Sequence, residues 1–93
     1  MHQDQNMLYF QRRWDEERVE DGVNWGHSTW LFETDFEGFP IRQLEVYECG
    51  RKLRYSIDNL EDSYGQLGDQ PLDIVDFQAF KMSAREFEKA WLK

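Results

Sequence analysis

The sequence predicts an α+β fold: a four-stranded antiparallel β-meander with a C-terminal α-helix packed on one face. Three observations carry this. Four segments between Met7 and Ile57 alternate apolar and polar residues with the period of a strand. The connections after the second and third of them are short and contain glycine, which suits antiparallel neighbours. The chain then changes character at Asp58 and ends in a strong helix-start signal. Strands first and helix last is the order of an α+β domain.

The first strand runs from Met7 to Trp14. Leu8, Phe10, Arg12 and Trp14 share one face, and Tyr9, Gln11 and Arg13 the other. Glu16 to His27 is polar, carries Gly22 and Gly26, and reads as a long loop. The second strand, Ser28 to Phe36, places Trp30, Phe32, Thr34 and Phe36 on one side. Glu37-Gly38-Phe39-Pro40 closes it with a turn. The third strand, Ile41 to Cys49, alternates Arg42, Leu44, Val46 and Glu48 with Ile41, Gln43, Glu45 and Tyr47. Gly50 turns a hairpin into the fourth strand, Lys52 to Ile57, with Leu53, Tyr55 and Ile57 on its apolar face.

Asp58 to Asp76 is loop-like, with Gly65, Gly68 and Pro71, and Pro71 opens a short helical turn through Ile74 and Phe77. Ser83 is an N-cap, and Glu86 three residues on completes a capping box. Ala84, Phe87 and Trp91 recur at helical spacing with Ala90 beside them, so Phe87 and Trp91 are the expected contacts with the sheet. Lys89 and Lys93 near the end suit the helix dipole. The expected organisation is a frayed or disordered N-terminus over residues 1–6 and a single domain over 7–93, with no repeat or linker.

The composition narrows the function classes. The chain has 93 residues, 16% aromatic, and a formal net charge of −8. Its mean hydropathy is −0.86. Aromatic and β-branched residues at this level argue for a folded chain. No apolar run approaches the roughly 20 residues of a membrane-spanning helix. The polar start, Met1 to Asn6, is unlike a signal peptide, and Cys49 is the only cysteine, so the expected location is a reducing cytoplasm. An anionic protein repels nucleic-acid phosphates and the anionic inner leaflet, which disfavours both as partners and favours a cationic protein.

The charge is concentrated. Residues 58–80 carry six acids and no base, and Asp15 to Asp21 carries five acids against Arg18. A block of this kind is often only a solvated face. Its functional reading is an electrostatic dock that speeds association and rejects wrong partners. Two contact regions are expected: Asp58, Glu61, Asp62, Tyr64, Asp69 and Asp73 as one, and Glu16, Glu17, Glu20, Asp21 and Trp25 as the other. An exposed Trp or Tyr inside a charged rim has the composition of a binding hot spot. The competing reading folds both rings back as small cores beneath their loops, and for Trp25 it is the favoured one.

No catalytic set emerges, and no metal or cofactor is expected. Cys49 beside Gly50 lacks a nucleophile motif, and a lone Cys is most often a small packed residue. His2 and His27 form no spaced ligand pair, and Asp58, Glu61 and Asp62 fail the calcium-loop pattern because Leu60 stands at a ligand position. Gly65-Gln66-Leu67-Gly68 lacks the Lys-Ser/Thr of a phosphate loop. A carboxylate pair doing acid–base work needs a deep cleft, which a thin sheet under one helix seldom provides. Arg51, Lys52 and Arg54 cluster at the second hairpin, beside Tyr47 and Tyr55, but the net charge opposes nucleic-acid binding.

Three stretches together carry a resemblance: Trp14-Asp15; Arg42-Gln43-Leu44-Glu45-Val46-Tyr47 with Gly50-Arg51; and Phe80 to Trp91. The pattern, an R-x-[LIV]-E-[LIV]-[FY] strand, a hairpin glycine and a terminal S-x-x-E-F-E-x-x-W helix, resembles a family of small bacterial domains of unknown function. The likeness spans most of the chain from Met7 on. It departs at the Glu16–His27 segment and at the acidic segment. The matched residues are of a structural kind. Small acidic bacterial domains of this type are similar in character to the immunity proteins of toxin systems, an analogy that fixes no partner.

The expected function is therefore a non-enzymatic acidic protein-binding domain, namely an immunity protein that neutralises a cationic, nuclease-type bacterial toxin. The alternatives are a phage or mobile-element inhibitor mimicking nucleic acid, a small enzyme or ligand-binding domain recognisable by a concave pocket with convergent polar groups, and a module that pairs through a sheet edge.

Overall fold

A computed structural model describes residues 7–93; the expectation for residues 1–6 lies outside the described residues. Four strands, β1 (Leu8–Glu20), β2 (Val23–Thr34), β3 (Pro40–Tyr47) and β4 (Lys52–Ser56), form one antiparallel sheet in the order β1-β2-β3-β4. The α+β meander expected from the strand periodicity is the fold observed. A short α1 (Ile74–Phe77) and a 3-10 turn (Gln78–Phe80) precede the terminal helix α2 (Ala84–Leu92). No described helix is long and apolar enough to cross a membrane.

The Glu16–His27 segment is not a loop. It continues β1 and β2 into a hairpin arm that turns at Asp21-Gly22. Both turn residues have positive φ, 51° and 78°, the combination a tight two-residue hairpin turn requires and that Asp-Gly tolerates well. The polar composition misled because the arm's strands are solvated along much of their length. Phe36 and Ile57, expected on apolar faces, lie beyond the ends of β2 and β4 and are exposed.

The arm is irregular where its acids lie. Trp14 pairs with Ser28 and Arg18 with Gly26, so Asp15, Glu16 and Glu17 stand opposite His27 alone. Two extra residues, an even number, return Arg18 to the face that Trp14 occupies; a single extra residue would have turned it to the other side. A second irregularity places Trp25 as the unpaired residue between Gly26 and Asn24.

The sheet is covered on both faces. On one, α2 lays Phe87 on Leu31 and Leu44, with Tyr9, Val46, Met82, Ala90 and Trp91 around them. The other face is closed by residues 57–80, here called the strap. Phe77 packs on Phe10 and Phe32, while Leu67 joins Trp25, Tyr47, Leu53 and Tyr55. The strap is also fixed at the β2–β3 turn, where the Leu72 N–H donates to the Gly38 carbonyl at 2.9 Å. A Cβ on Gly38 would stand 2.6 Å from the Leu72 oxygen, and the residue's φ is +93°, so space and backbone both demand glycine.

The α2 start is as its sequence implies. The Ser83 hydroxyl accepts from the Glu86 N–H at 3.0 Å, and the Glu86 carboxylate accepts from the Ser83 N–H at 3.1 Å. Phe87 is fully buried and stacks on Trp91 with ring centroids 6.0 Å apart. Across the interface, Arg42 on β3 binds Glu33 at 2.7 Å and Glu88 of α2, with its guanidinium over both Phe87 and Trp91. Phe87→Ala is expected to lower unfolding free energy by about 3–5 kcal/mol and Ser83→Ala by about 1 kcal/mol. Urea titrations of the two variants check this, and equal losses would contradict the division between buried ring and exposed cap.

Candidate functional site

Between the strap and the sheet lies a cleft of about 380 Å³. Trp14 and Trp30, from the adjacent strands β1 and β2, stack with centroids 5.7 Å apart and planes at 25°. The Trp30 indole N–H donates to the Ser28 hydroxyl at 2.9 Å, which orients the ring. Phe32, Leu72 and Phe77 extend the apolar wall, and Tyr64, Gly65, Gln66 and Asp69 of the strap form the opposite side. Trp14 is 37% exposed, an unusual state for so large a ring at the edge of a cleft.

The cleft holds convergent polar groups. β3 alternation directs Gln43, Glu45 and Tyr47 to the strap face, and all three are buried. The Tyr47 hydroxyl donates to Glu45 Oε1 at 2.6 Å and the Gln43 amide to Glu45 Oε2 at 2.9 Å. Arg18 comes in from the arm. Its Nη1 donates to the Tyr47 hydroxyl at 2.8 Å, and its Nε donates to Glu20 at 2.8 Å. It lies 3.6 Å from Glu45. Two further bonds reach strap backbone: Arg18 Nη2 to the Tyr64 carbonyl at 2.6 Å, and the Gln43 amide to the Gln66 carbonyl at 3.3 Å. The Gly68 N–H returns a bond to Gln43 Oε1 at 3.0 Å.

These contacts govern protonation. Burial, reinforced by the bond to Glu45, pushes the Tyr47 hydroxyl up to about 12 even though Arg18 opposes the shift. Burial acts to lower the Arg18 guanidinium, but its hydrogen bonds to Glu20 and Tyr47 outweigh it and hold the group above its ordinary value. Burial raises Tyr55 as well, helped by its bond to Asp62, and raises Tyr9, helped by its bond to Glu33.

The residues singled out from sequence distribute unevenly. Tyr64 and Asp69 line the cleft. Glu16 and Glu17 line another hollow that shares Trp14, Trp30 and Arg18 with the cleft. Glu20 and Asp21 border a separate hollow with Trp25, Cys49 and Arg51, and Asp58 borders one with Arg42 and Trp91. The two expected regions are thus each divided. Trp25 is 3% exposed, packed edge-on to Tyr47 at 5.2 Å, so it belongs to the core and offers no contact surface. Asp62 is engaged within the strap. Its Oδ1 accepts from the Tyr64 and Gly65 N–H groups and the Tyr55 hydroxyl, and the bond from the Tyr64 N–H does most to lower its pKa. Asp73 caps α1 through the Asp76 N–H.

Five residues that matter here escaped sequence reading: Trp14, Arg18, Trp30, Gln43 and Glu45. The available signals were Asp21-Gly22, the best short hairpin signal in the chain, and a carboxylate set between Gln43 and Tyr47 on one face of a strand. The sequence expectation, that a thin sheet under one helix seldom offers a deep cleft, did not foresee the strap, which covers the second face and forms this cleft with the sheet. Among the described residues no group of three or more His, Cys, Asp or Glu side chains is placed to hold a metal ion. His27 is engaged by Arg13 at 3.2 Å and Glu48 at 3.3 Å, and Cys49 is exposed. Comparison of the chain with family models, curated proteins and solved structures finds no match.

Glu45→Ala leaves the Tyr47 and Gln43 donors without their acceptor and is expected to cost about 3 kcal/mol in urea unfolding, against under about 0.5 kcal/mol for the exposed Glu61→Ala. The raised tyrosines make a pH prediction. A group whose folded pKa exceeds its unfolded value near 10 contributes stability that is complete below about pH 10 and lost as pH rises through the folded value. For Tyr47 that window ends at about 12. The urea midpoint should therefore fall as pH rises from about 10 toward 12, and less steeply in Tyr47→Phe; a flat midpoint in the parent protein would refute the assignment.

Proposed function

We propose that this chain is a non-enzymatic, acidic protein-binding domain, an immunity protein that neutralises a cationic toxin of nuclease type. One observation carries the reading: the arm and the strap hold acids that lie outside the ion pairs engaging four of the chain's eleven lysines and arginines. Arg12, Arg13, Arg18 and Arg42 are all held in ion pairs. Among the described residues, Glu16, Asp21, Asp58, Glu61 and Asp69 carry no salt bridge or side-chain hydrogen bond in the same networks. Residues 15–27 and 58–80 together carry eleven acids against Arg18 alone, so the excess negative charge is concentrated on the arm and the strap. Nuclease toxins are cationic because they grip phosphates, and an acidic surface with the exposed Trp14 beside Glu16 and Glu17 suits such a partner. The resemblance to small bacterial domains and the likeness in character to immunity proteins point the same way. A cytoplasmic site of action follows from this reading.

The alternatives have unequal support. Asp58 and Asp69 border different hollows, an arrangement less suited to a row of phosphate mimics. A ligand-binding domain is favoured by one feature, the aromatic cleft with Arg18, Gln43 and Glu45 inside it.

The test is affinity capture from the native host with the parent chain and with Asp21→Lys/Glu61→Lys. The parent should recover a basic polypeptide at low salt, the double variant at least about tenfold less, and co-expression of this chain should relieve that polypeptide's toxicity. Equal recovery by both chains, or toxicity untouched by co-expression, would overturn the reading.

A further inference from the structure

The cleft repeats a composition that this fold uses elsewhere to hold a guanidinium. Arg12 lies over Phe77 at 5.0 Å and Phe80 at 4.6 Å and pairs with Asp76 at 3.1 Å. Arg42 lies over Phe87 at 4.9 Å and pairs with Glu33. Arg18 lies over Trp25 at 5.0 Å and pairs with Glu20. In each case aromatic faces supply the attraction of their π-systems and a carboxylate supplies the counter-charge. The cleft presents the same two ingredients: the stacked Trp14 and Trp30 rings, of which Trp14 already has Arg12 over it at 5.5 Å, the Glu45 carboxylate, and the exposed Asp69.

Glu45 has acceptor capacity to spare. It is 3% exposed and lines the cleft, yet each oxygen accepts only one close hydrogen bond, from Tyr47 and from Gln43. A carboxylate offers about four acceptor positions. Arg18 adds charge at 3.6 Å, but its donors are directed to Glu20, Tyr47 and Tyr64. Glu45 lines the same cleft as the Trp14, Trp30 and Phe32 rings, where a cation on an apolar stem gains both a counter-ion and burial of its methylenes.

We propose that the cleft receives one lysine or arginine side chain of the protein partner, its stem against Trp14 and Trp30 and its charge toward Glu45 and Asp69. This rests on the reading of the chain as a binder of a cationic protein, and it names the anchor. Charge complementarity selects the occupant, since among the lining residues Asp69 remains in excess of the Arg18–Glu45 pair and Glu16 and Glu17 flank the same tryptophan pair.

The test uses the full chain labelled with ¹⁵N and follows the indole N–H resonances of Trp14 and Trp30. The probes are the N-acetyl amides of arginine and lysine, the neutral citrulline analogue, and the tripeptide Lys-Arg-Lys amide. Both cationic probes should shift the two resonances saturably, citrulline at least about tenfold more weakly. The tripeptide should bind tighter than arginine alone, because flanking cations meet Asp69, Glu16 and Glu17; equal affinity would point to a free small cation and overturn the assignment to a protein side chain. Glu45→Gln keeps an acceptor for Tyr47 and should weaken binding about tenfold. Asp69→Asn, on the exposed rim where folding is not at stake, should weaken it about threefold. Citrulline binding as well as arginine, no saturable shift, or indifference to both substitutions would overturn the inference. If these fail while capture still depends on Asp21 and Glu61, the anchor is wrong and the broader reading stands; if capture is also unchanged, both fall.

Discussion

Arg18 joins three parts of the molecule that are distant in sequence. Its guanidinium binds Glu20 within the arm, Tyr47 on β3 and the Tyr64 carbonyl in the strap. The β1 irregularity inserts two residues, an even number, and so leaves Arg18 on the face that Trp14 occupies. Without that cation, Glu45 would be a buried carboxylate without a counter-charge, a costly arrangement. Tyr47 would lose a donor, and the strap would lose one of its fixings over the sheet. The cleft, the buried network and the path of the strap therefore depend on one side chain in the segment that looked least structured.

The placing of cations is the second organising theme. A small anionic domain gains little from exposed ion pairs, each worth under about 1 kcal/mol. Here Arg12, Arg18 and Arg42 instead lie between aromatic rings and carboxylates at the junctions between layers. They fasten the strap, the arm and α2 to the sheet. The same placement leaves the surface of the arm and strap with a surplus of acid, so stability and surface charge come from one distribution of residues.

The parts of the fold that follow simple periodicity could be read directly. Alternation in β2 and β3, the glycine at the second hairpin and the Ser83–Glu86 box each report a local preference that the tertiary structure respects. The arm was hidden because its strands are polar on both sides over several residues, so they lack the period-two signal of a half-buried strand. The site was hidden for a different reason. Trp14, Arg18, Gln43, Glu45 and Tyr64 meet only once the strap has folded over the sheet, and an irregular segment of this length has no periodicity to announce where it packs. The excess of acid was visible, but its division between exposed surface, helix cap and internal turn was not: Asp62, Asp73 and Glu61 are alike in sequence and differ only in what their neighbours require.

The strap is anchored through its main chain as well as through the packed Leu67 and Phe77 side chains. Arg18 and Gln43 bond the Tyr64 and Gln66 carbonyls and the Gly68 N–H, and Gly38 receives the Leu72 N–H. Backbone atoms are common to all residue types, so the exposed strap side chains outside the Leu67, Leu72 and Phe77 packing and the Asp62 and Asp73 bonds can be exchanged without altering its course. Glu61, Gln66, Asp69 and Gln70 thus form a printable surface on a fixed track. Substitutions at these exposed positions would change the charge and shape of the strap's surface while the sheet, the helix and the buried network beneath remain as they are.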